Sequence, residues 1–313
     1  MRVFEDAWGR DDLPRRAVVT VGNYDGVHRG QRAVLSRVTE RAARLRAPAV
    51  AVSFDPHPRT VLTPGAEVPA LTTRSQKVTL LEGCGLDALA VVRFTPAFAE
   101  TTAEEFVRRF LVGALGARAV LVGEKFSFGR GRQGNLELLR RLGDEQGFDV
   151  EEVPKVRHDG EAISSTRIRE AVAAGDVAAA REMLGRPYAV EGVVVHGDGR
   201  GSSIGWPTAN LETANELLPA HGVYAVGVRL EDEPPRPAVA NLGVRPTVST
   251  EGRPVAEAHL LDFEGDLYGR PAELLFCRRL RGEHRFPSLE ALSEQIGRDA
   301  AEAREYFRSS ACW

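Results

Sequence analysis

Hydrophobic positions in the first half of the chain form short β-branched runs that alternate with helical patterns. This alternation predicts βαβ units, that is, a parallel sheet with helices packed on its faces. The predicted strands are residues 17–21, 49–54, 88–94, 119–122 and 148–153. The predicted helices are residues 30–45, 73–81, 102–111 and 135–142, with Thr102 and Glu105 at capping-box spacing.

The pattern changes after a helical, alanine-rich stretch at residues 166–184, which is followed by turn residues at 185–187. Beyond this point lie long alternating runs separated by glycine-rich turns, at residues 188–195, 223–230, 256–263 and 273–280. Such runs predict an antiparallel barrel or sandwich, and the helical periodicity of residues 288–307 predicts a closing helix. We therefore predict an α/β domain at residues 1–184 and a β domain at residues 185–313.

Composition narrows the classes of function. The chain has 313 residues, 43% of them hydrophobic, and a net charge of −3, which disfavours binding to a nucleic-acid backbone. Its first residues lack the apolar run of an export signal, and no stretch approaches the length of a membrane span. The three cysteines, Cys84, Cys277 and Cys312, are far apart and predict neither a disulfide framework nor a zinc site. We expect a cytoplasmic protein with no membrane or nucleic-acid partner.

A glycine-punctuated turn follows the first predicted strand, where residues 18–31 read VVTVGNYDGVHRGQ. Open α/β sheets bind ligands beyond the carboxyl ends of their strands, and the N–H groups of a helix start favour a phosphate. Gly22, Gly26 and Gly30 let the backbone approach a ligand closely, and His28 adds an imidazole donor. Taken alone, the segment can also be a glycine-rich surface loop with one histidine.

Three further segments favour a ligand site over a plain surface loop. They are SFDPHP at residues 53–58, GEKFSFGRGRQGN at 123–135 and ISSTRIR at 163–169. In this order the four segments resemble the adenylyltransferase module of bacterial FAD synthetases, which are relatives of the HxGH nucleotidyltransferases. The resemblance implies a parallel-sheet nucleotidyltransferase fold. It also implies that the phosphate of FMN attacks the α-phosphorus of ATP and that pyrophosphate leaves.

The resemblance also assigns site residues, with His28 as a catalytic residue at the triphosphate. The expected ATP and phosphate contacts are Gly22, Asp25, Gly30, Gln31, Ser164, Ser165, Thr166 and Arg167, and the expected flavin contacts are Phe54 and Asp55. Two positions depart from the family pattern. Gln31 replaces the second histidine of HxGH, and Lys125 replaces the last residue of a GEN or GED loop. They motivate an alternative: a riboflavin kinase whose nucleotidyltransferase module is weakened or non-catalytic.

A second glycine-rich segment lies in the predicted β domain, where residues 195–211 read VHGDGRGSSIGWPTANL. Its glycines, Gly197, Gly199, Gly201 and Gly205, permit a loop that wraps ATP phosphates with backbone N–H groups. Thr208 and Asn210 point to one face of an extended backbone and offer the hard oxygen donors that suit Mg²⁺. The segment resembles the flavokinase signature.

The segments AEAHLLD at residues 256–262, DLYG at 266–269 and NLGVRPT at 241–247 extend this resemblance. It implies that Glu257 is the catalytic base and that Asn241 and Arg245 bind the flavin. Strand alternation places Glu257 and His259 on one face, although a solvated outer glutamate is the alternative.

With both modules in order, the chain is identified as a member of the bacterial bifunctional riboflavin kinase/FAD synthetase family. Its expected small-molecule partners are ATP, riboflavin and FMN, and its expected cofactor is Mg²⁺. A non-catalytic nucleotide- or RNA-binding barrel is the remaining alternative, and the absence of a basic excess argues against it.

Overall fold

The structure is a computed structural model that describes residues 1–63, 65–197, 205–231, 233–244, 254–310 and 312–313. The chain divides into two compact units, one of residues 1–69 and 74–164 and one of residues 70–73 and 165–313. This grouping assigns residues 165–184 to the second unit, whereas the sequence predicts a boundary after residue 184. The functional boundary stays a prediction that truncation can test.

A parallel sheet forms the centre of the first unit, with strand order β1-β4-β3-β2-β5-β6. Its strands are β1 (Arg2–Phe4), β2 (Val18–Val21), β3 (Ala49–Asp55), β4 (Ala88–Arg93), β5 (Ala119–Gly123) and β6 (Asp149–Val153). The five predicted strands are confirmed to within one residue at each end. The chain order reverses between β2 and β5, so the carboxyl ends of these two strands border the crevice where such sheets bind ligands.

Helices cover both faces of this sheet. They are α1 (Arg29–Leu45), α2 (Pro58–Leu62), α3 (Arg74–Glu82), α4 (Pro96–Ala99), α5 (Ala103–Glu105), a π-helical segment (Phe106–Ala114), a 3₁₀ turn (Arg130–Arg132) and α6 (Leu136–Gln146). Buried residues of α1 and α3 pack on one face, and the π-helical segment and α6 pack on the other. Because both faces are covered, the central strands are continuously apolar. A short hairpin, β7 (Arg157–His158) with β8 (Glu161–Ala162), follows the sheet.

The second unit begins with α7 (Ser165–Ala174) and α8 (Val177–Leu184) and continues into a closed antiparallel barrel. Around the barrel the strand order is β10-β13-β12-β11-β14-β9. The strands are β9 (Tyr188–Val195), β10 (Ala209–Thr213), β11 (Gly222–Leu230), β12 (Arg236–Val244), β13 (Pro254–Leu260) and β14 (Pro271–Arg281), and the last helix is α9 (Leu289–Ser309). The predicted α/β domain, antiparallel barrel and closing helix are thus confirmed.

The closing helix α9 packs on the outer face of the barrel. Its Ala300 and Ala303 form one buried cluster with Val223 of β11 and Val239 of β12. Strand register places Glu257 in the same cross-strand row as Val223, so Glu257 lies on this outer face. Within the described residues, no helix has both the length and the apolar character needed to cross a bilayer.

A disulfide joins Cys277 of β14 to Cys312 near the chain end, with the two Cα atoms 5.8 Å apart. The sequence-based expectation of no disulfide was wrong for this pair. The two residues are 35 positions apart, and only the packing of α9 along the barrel brings them together. The same helix is held to β14 by Arg281, which forms a 2.8 Å ion pair with the buried carboxylate of Asp299.

Candidate active sites

The loop between β2 and α1 has an unusual backbone. Tyr24 and Val27 have φ angles of 47° and 41°, in the left-handed region that β-branched residues such as valine rarely enter, and Gly26 has a φ of 84°. The buried Tyr24 hydroxyl is held 2.6 Å from Thr20 Oγ1, and burial raises the pKa of this phenol. Left-handed residues of this kind cluster at ligand sites, where the surrounding structure holds them in place.

His28 and Gln31 together cap the start of α1. His28 Nδ1 accepts a hydrogen bond from the Gln31 N–H at 3.3 Å, and Gln31 Oε1 accepts one from the His28 N–H at 3.1 Å. Because Nδ1 is an acceptor, the neutral imidazole carries its proton on Nε2. The first turn of α1 contains no acidic residue, so the helix itself places no carboxylate beside the positive end of its dipole.

The loop after β3 is bonded to the loop after β2. The buried Ser53 Oγ donates to the Asn23 carbonyl at 3.1 Å, and Asn23 Nδ2 lies 2.9 Å from His57 Nε2. Both loops therefore stand together at the carboxyl edge of the sheet, beside the crevice at β2 and β5. In the sequence, the SFDPHP segment was informative only because it resembles a family motif. The sequence predicted no role for Asn23 or His57.

Phe54 lies at the edge of an aromatic cluster in the first unit. Its ring meets those of Phe94 and Phe98 at centroid distances of 5.7 and 6.0 Å. The next residue, Asp55, has a largely exposed side chain, and its carboxylate lies 3.7 Å from the Arg74 guanidinium. A half-buried aromatic ring beside an exposed carboxylate can contact a planar ligand that also carries polar groups.

In the barrel, three predicted site residues share one cross-strand row. Glu257 of β13 is paired with Asn210 of β10 on one side and with Asn241 of β12 on the other. Directly paired residues point to the same face of a sheet, so the two amides flank the carboxylate. Asn210 is 4% exposed, whereas Asn241 is exposed.

Gly197 leaves space for the Asn210 side chain. A Cβ atom at residue 197 would lie 2.1 Å from Asn210 Nδ2, so the Asn210 side chain would have to move to accommodate it. Thr208 lies two residues before Asn210 and immediately before β10. The donor set of one hydroxyl and one carboxamide oxygen fits Mg²⁺, which takes few protein ligands and completes its shell with phosphates and water.

The segment that carries Thr208 is braced on both sides. His259 Nδ1 donates to the Pro207 carbonyl at 2.8 Å, and its ring meets Trp206 edge-on at 5.0 Å. Trp206 Nε1 in turn donates to Ser293 Oγ of α9 at 3.1 Å. Strand alternation predicted that His259 shares a face with Glu257. Its hydrogen bond to Pro207 could not be predicted from the sequence.

Comparison with known proteins decides the family. The sequence profile of the FAD synthetase family matches residues 11–167, and that of the riboflavin kinase family matches residues 184–307. The bifunctional riboflavin kinase/FMN adenylyltransferase of Pseudomonas fluorescens is 42% identical over 297 residues, which is 95% of either chain. That of Escherichia coli K12 is 42% identical over 290 residues, covering 93% of this chain and 92% of its own. The chain belongs to the bifunctional riboflavin kinase/FMN adenylyltransferase family.

A solved structure is also similar over the whole length. It is described as a macrolide-efflux protein from Streptococcus pneumoniae, is 29% identical and has a TM-score of 0.89. The alignment covers 97% of this chain and 99% of that one. The two family matches, at residues 11–167 and 184–307, confirm the predicted order of the FAD synthetase and riboflavin kinase modules.

The structure brings some of the predicted site residues together. Gly22, Asp25, His28, Gly30 and Gln31 lie in the loop and first turn that follow β2, and Asp25 is buried. Ser164 ends the first unit, whereas Ser165, Thr166 and Arg167 form the first turn of α7 in the second unit. Gly199, Gly201 and Arg245 lie outside the described residues, and Gly205 has a φ of 84°. The ligand contacts of all these residues stay predictions.

Proposed function

We propose that this chain makes FAD from riboflavin in two steps that use ATP. The barrel unit transfers the γ-phosphate of ATP to the 5′-hydroxyl of riboflavin, and the α/β unit transfers AMP from ATP to FMN with release of pyrophosphate. The match to both family profiles and to the full length of bifunctional relatives supports two activities over the kinase-only alternative. The observation that carries the kinase assignment is the row Asn210, Glu257 and Asn241.

In the kinase reaction, Glu257 accepts the proton of the riboflavin hydroxyl as that oxygen attacks the γ-phosphorus. Thr208 and Asn210 hold the magnesium ion, and Asn241 beside Glu257 orients the flavin side chain. When bound, Mg²⁺ neutralises charge on the ATP phosphates. The brace of His259 and Trp206 keeps Thr208 in register with Asn210.

In the adenylyl transfer, the enzyme forms no covalent intermediate, and catalysis comes from positioning and charge stabilisation. His28 donates through Nε2–H to the triphosphate, and the N–H groups around Gly30 contribute the positive end of α1. Arg167 supplies a further cation, with Ser164, Ser165 and Thr166 as hydroxyl donors. Phe54 and Asp55 contact the flavin, and Asp25 braces the loop after β2.

The test is an end-point assay of the full chain with ATP and magnesium, started from riboflavin or from FMN, that separates FMN from FAD. The variant Glu257→Gln keeps the size and a hydrogen bond but cannot accept the proton. We expect a loss of about 10²- to 10⁴-fold in kinase kcat, with FAD formation from supplied FMN preserved. The matched control is Glu264→Gln, which changes an exposed glutamate in the turn after β13 and should preserve both activities.

Near-normal kinase turnover in Glu257→Gln would remove this residue from the mechanism. Asp266 would then be the next carboxylate to test, because Asp262 is already paired with Arg304 at 2.8 Å. The variant Thr208→Ala separates metal binding from proton transfer. Raising the magnesium concentration should partly rescue Thr208→Ala and should not rescue Glu257→Gln.

A further inference from the structure

A lysine that no motif singled out lies at the carboxyl edge of the first sheet. Lys77 of α3 points its Nζ atom at Ser53 of β3, with Nζ 3.4 Å from Ser53 Oγ. Ser53 donates its own hydroxyl proton to the Asn23 carbonyl in the loop after β2. Lys77 therefore lies next to the loops that follow β2 and β3, which border the proposed adenylyl-transfer site.

The positive charge of the Lys77 ammonium is only partly balanced by nearby carboxylates. The carboxylates of Asp25 and Asp55 attract it, the Arg74 guanidinium repels it, and burial has the largest effect and lowers its pKa. Among the described residues, no carboxylate oxygen lies within 4.0 Å of Nζ. An ammonium has three donors, and Ser53 Oγ is a neutral acceptor at the long end of the range.

Holding a desolvated cation without a close counter-ion is unfavourable, and an anionic ligand removes that cost. Lysine binds phosphate as a point charge, without the fixed geometry of a guanidinium. The chain neighbours of Ser53 indicate which phosphate. Ser53 directly precedes Phe54 and Asp55, the residues proposed to contact the flavin, whereas the groups proposed to donate to the triphosphate are His28, the N–H groups around Gly30 and Arg167.

We propose that Lys77 binds the phosphate group of FMN and positions its attacking oxygen in the adenylyl-transfer reaction. In this step an FMN phosphate oxygen forms a bond to the α-phosphorus of ATP, the bond from that phosphorus to the β-phosphate bridging oxygen breaks, and pyrophosphate leaves. Lys77 neither gives up nor takes up a proton in this step. Its charge reduces the repulsion between an anionic nucleophile and the polyanionic ATP. This inference rests on the proposed FAD-forming activity.

The experiment measures FAD formation by the full chain, with FMN and ATP varied separately. Lys77→Met removes the charge and keeps most of the volume, Lys77→Gln is a second neutral variant, and Lys77→Arg keeps the charge. For both neutral variants we expect the KM for FMN to rise about 10- to 100-fold, which corresponds to the loss of one hydrogen bond to a charged group. The KM for ATP should change less than about threefold, and Lys77→Arg should recover part of the FMN affinity.

Two controls separate phosphate binding from a structural effect. Lys155→Met removes a lysine that lies 4.0 Å from Glu124 and should leave the KM for FMN unchanged. Lumiflavin carries the flavin ring without a phosphate, so its inhibition constant against FMN should be the same in the wild-type chain and in the neutral variants. Urea unfolding of each full-chain variant, compared with the wild-type chain, reports whether the α/β unit that contains Lys77 is folded.

Any of the following results would show that Lys77 does not bind the phosphate of FMN. An unchanged KM for FMN in a folded neutral variant would make Lys77 a structural residue. A rise in the KM for ATP instead of FMN would assign the lysine to the triphosphate, and an equal loss of lumiflavin binding would mean that the flavin pocket had collapsed. A wild-type chain that forms no FAD would refute the proposed function itself, which is a separate result.

Discussion

The substitution Gly197→Ala tests whether the barrel site depends on the position of Asn210. The three atoms nearest to a Cβ at residue 197 are Nδ2, Cγ and Oδ1 of Asn210, at 2.1, 2.6 and 2.8 Å. Real Cβ atoms essentially never come closer than 3.0 Å, so Nδ2 has to move by at least 3.0 − 2.1 = 0.9 Å. Asn210 is buried, and its displacement carries the proposed magnesium ligand with it.

A displacement of about 1 Å at a reacting centre typically costs about 10²-fold in rate. Overpacking of a well-packed site costs about 1–3 kcal/mol of folding free energy. We therefore expect the kinase kcat of Gly197→Ala to fall about 10²-fold and the barrel unit to lose about 1–3 kcal/mol. FAD formation from FMN should be preserved, because all the residues involved belong to the second unit.

The assay combines riboflavin kinase kinetics with urea unfolding followed by tryptophan fluorescence. The control is Gly282→Ala, since a Cβ there meets no atom within 4 Å. A double-mutant cycle with Asn210→Ala gives the decisive result. All three clashing atoms lie beyond the Cβ of Asn210, so Gly197→Ala should cost almost no stability in the Asn210→Ala background. Full additivity of the two stability losses would refute this reasoning.

Three further predictions concern the rest of the chain. Reducing the Cys277–Cys312 disulfide with dithiothreitol should lower the unfolding free energy of the barrel by about 4 kcal/mol, as measured by urea unfolding; no change would show that the link does not constrain the chain. Fragments that start at residue 165 or 185 should both phosphorylate riboflavin. The longer fragment should be more stable by at least about 2 kcal/mol, because α8 buries Val177, Met183 and Leu184, and equal stabilities would contradict that packing. In Gln31→His, FAD formation should hold steady or rise, whereas a severe loss would mean that the capping carboxamide is needed.

The elements predicted from the sequence are those whose buried residues form a regular pattern along the chain, either a continuous apolar run or a fixed repeat. The central strands of the first unit are buried on both faces and read as continuous apolar runs. The strand β1 was missed because it has three residues, of which only Phe4 is buried. The strand β12 was missed because it begins with Arg236 and Pro237 and carries Asn241 in its middle, which breaks the alternation.

Some residues of the candidate sites were predicted from the sequence, and others became visible only in the structure. Resemblance to family motifs gave Glu257 and Asn210, and strand register then placed them side by side. Lys77 could not be found from the sequence, because a single lysine in a helix is usually solvated and only the fold brings it over Ser53. Gln31 was predicted to contact phosphate, and its role in capping α1 depends on the side-chain conformation of His28.

The disulfide also changes how the chain responds to a protease. The segment between its two cysteines contains the turn at residues 282–288 and all of α9. A single cut in that turn would leave both fragments covalently joined, so the nicked protein would run as one band on a gel until a reducing agent was added. The helix that packs on Glu257's face of the barrel would stay tethered to β14 by the disulfide after the peptide chain in this turn had been cut.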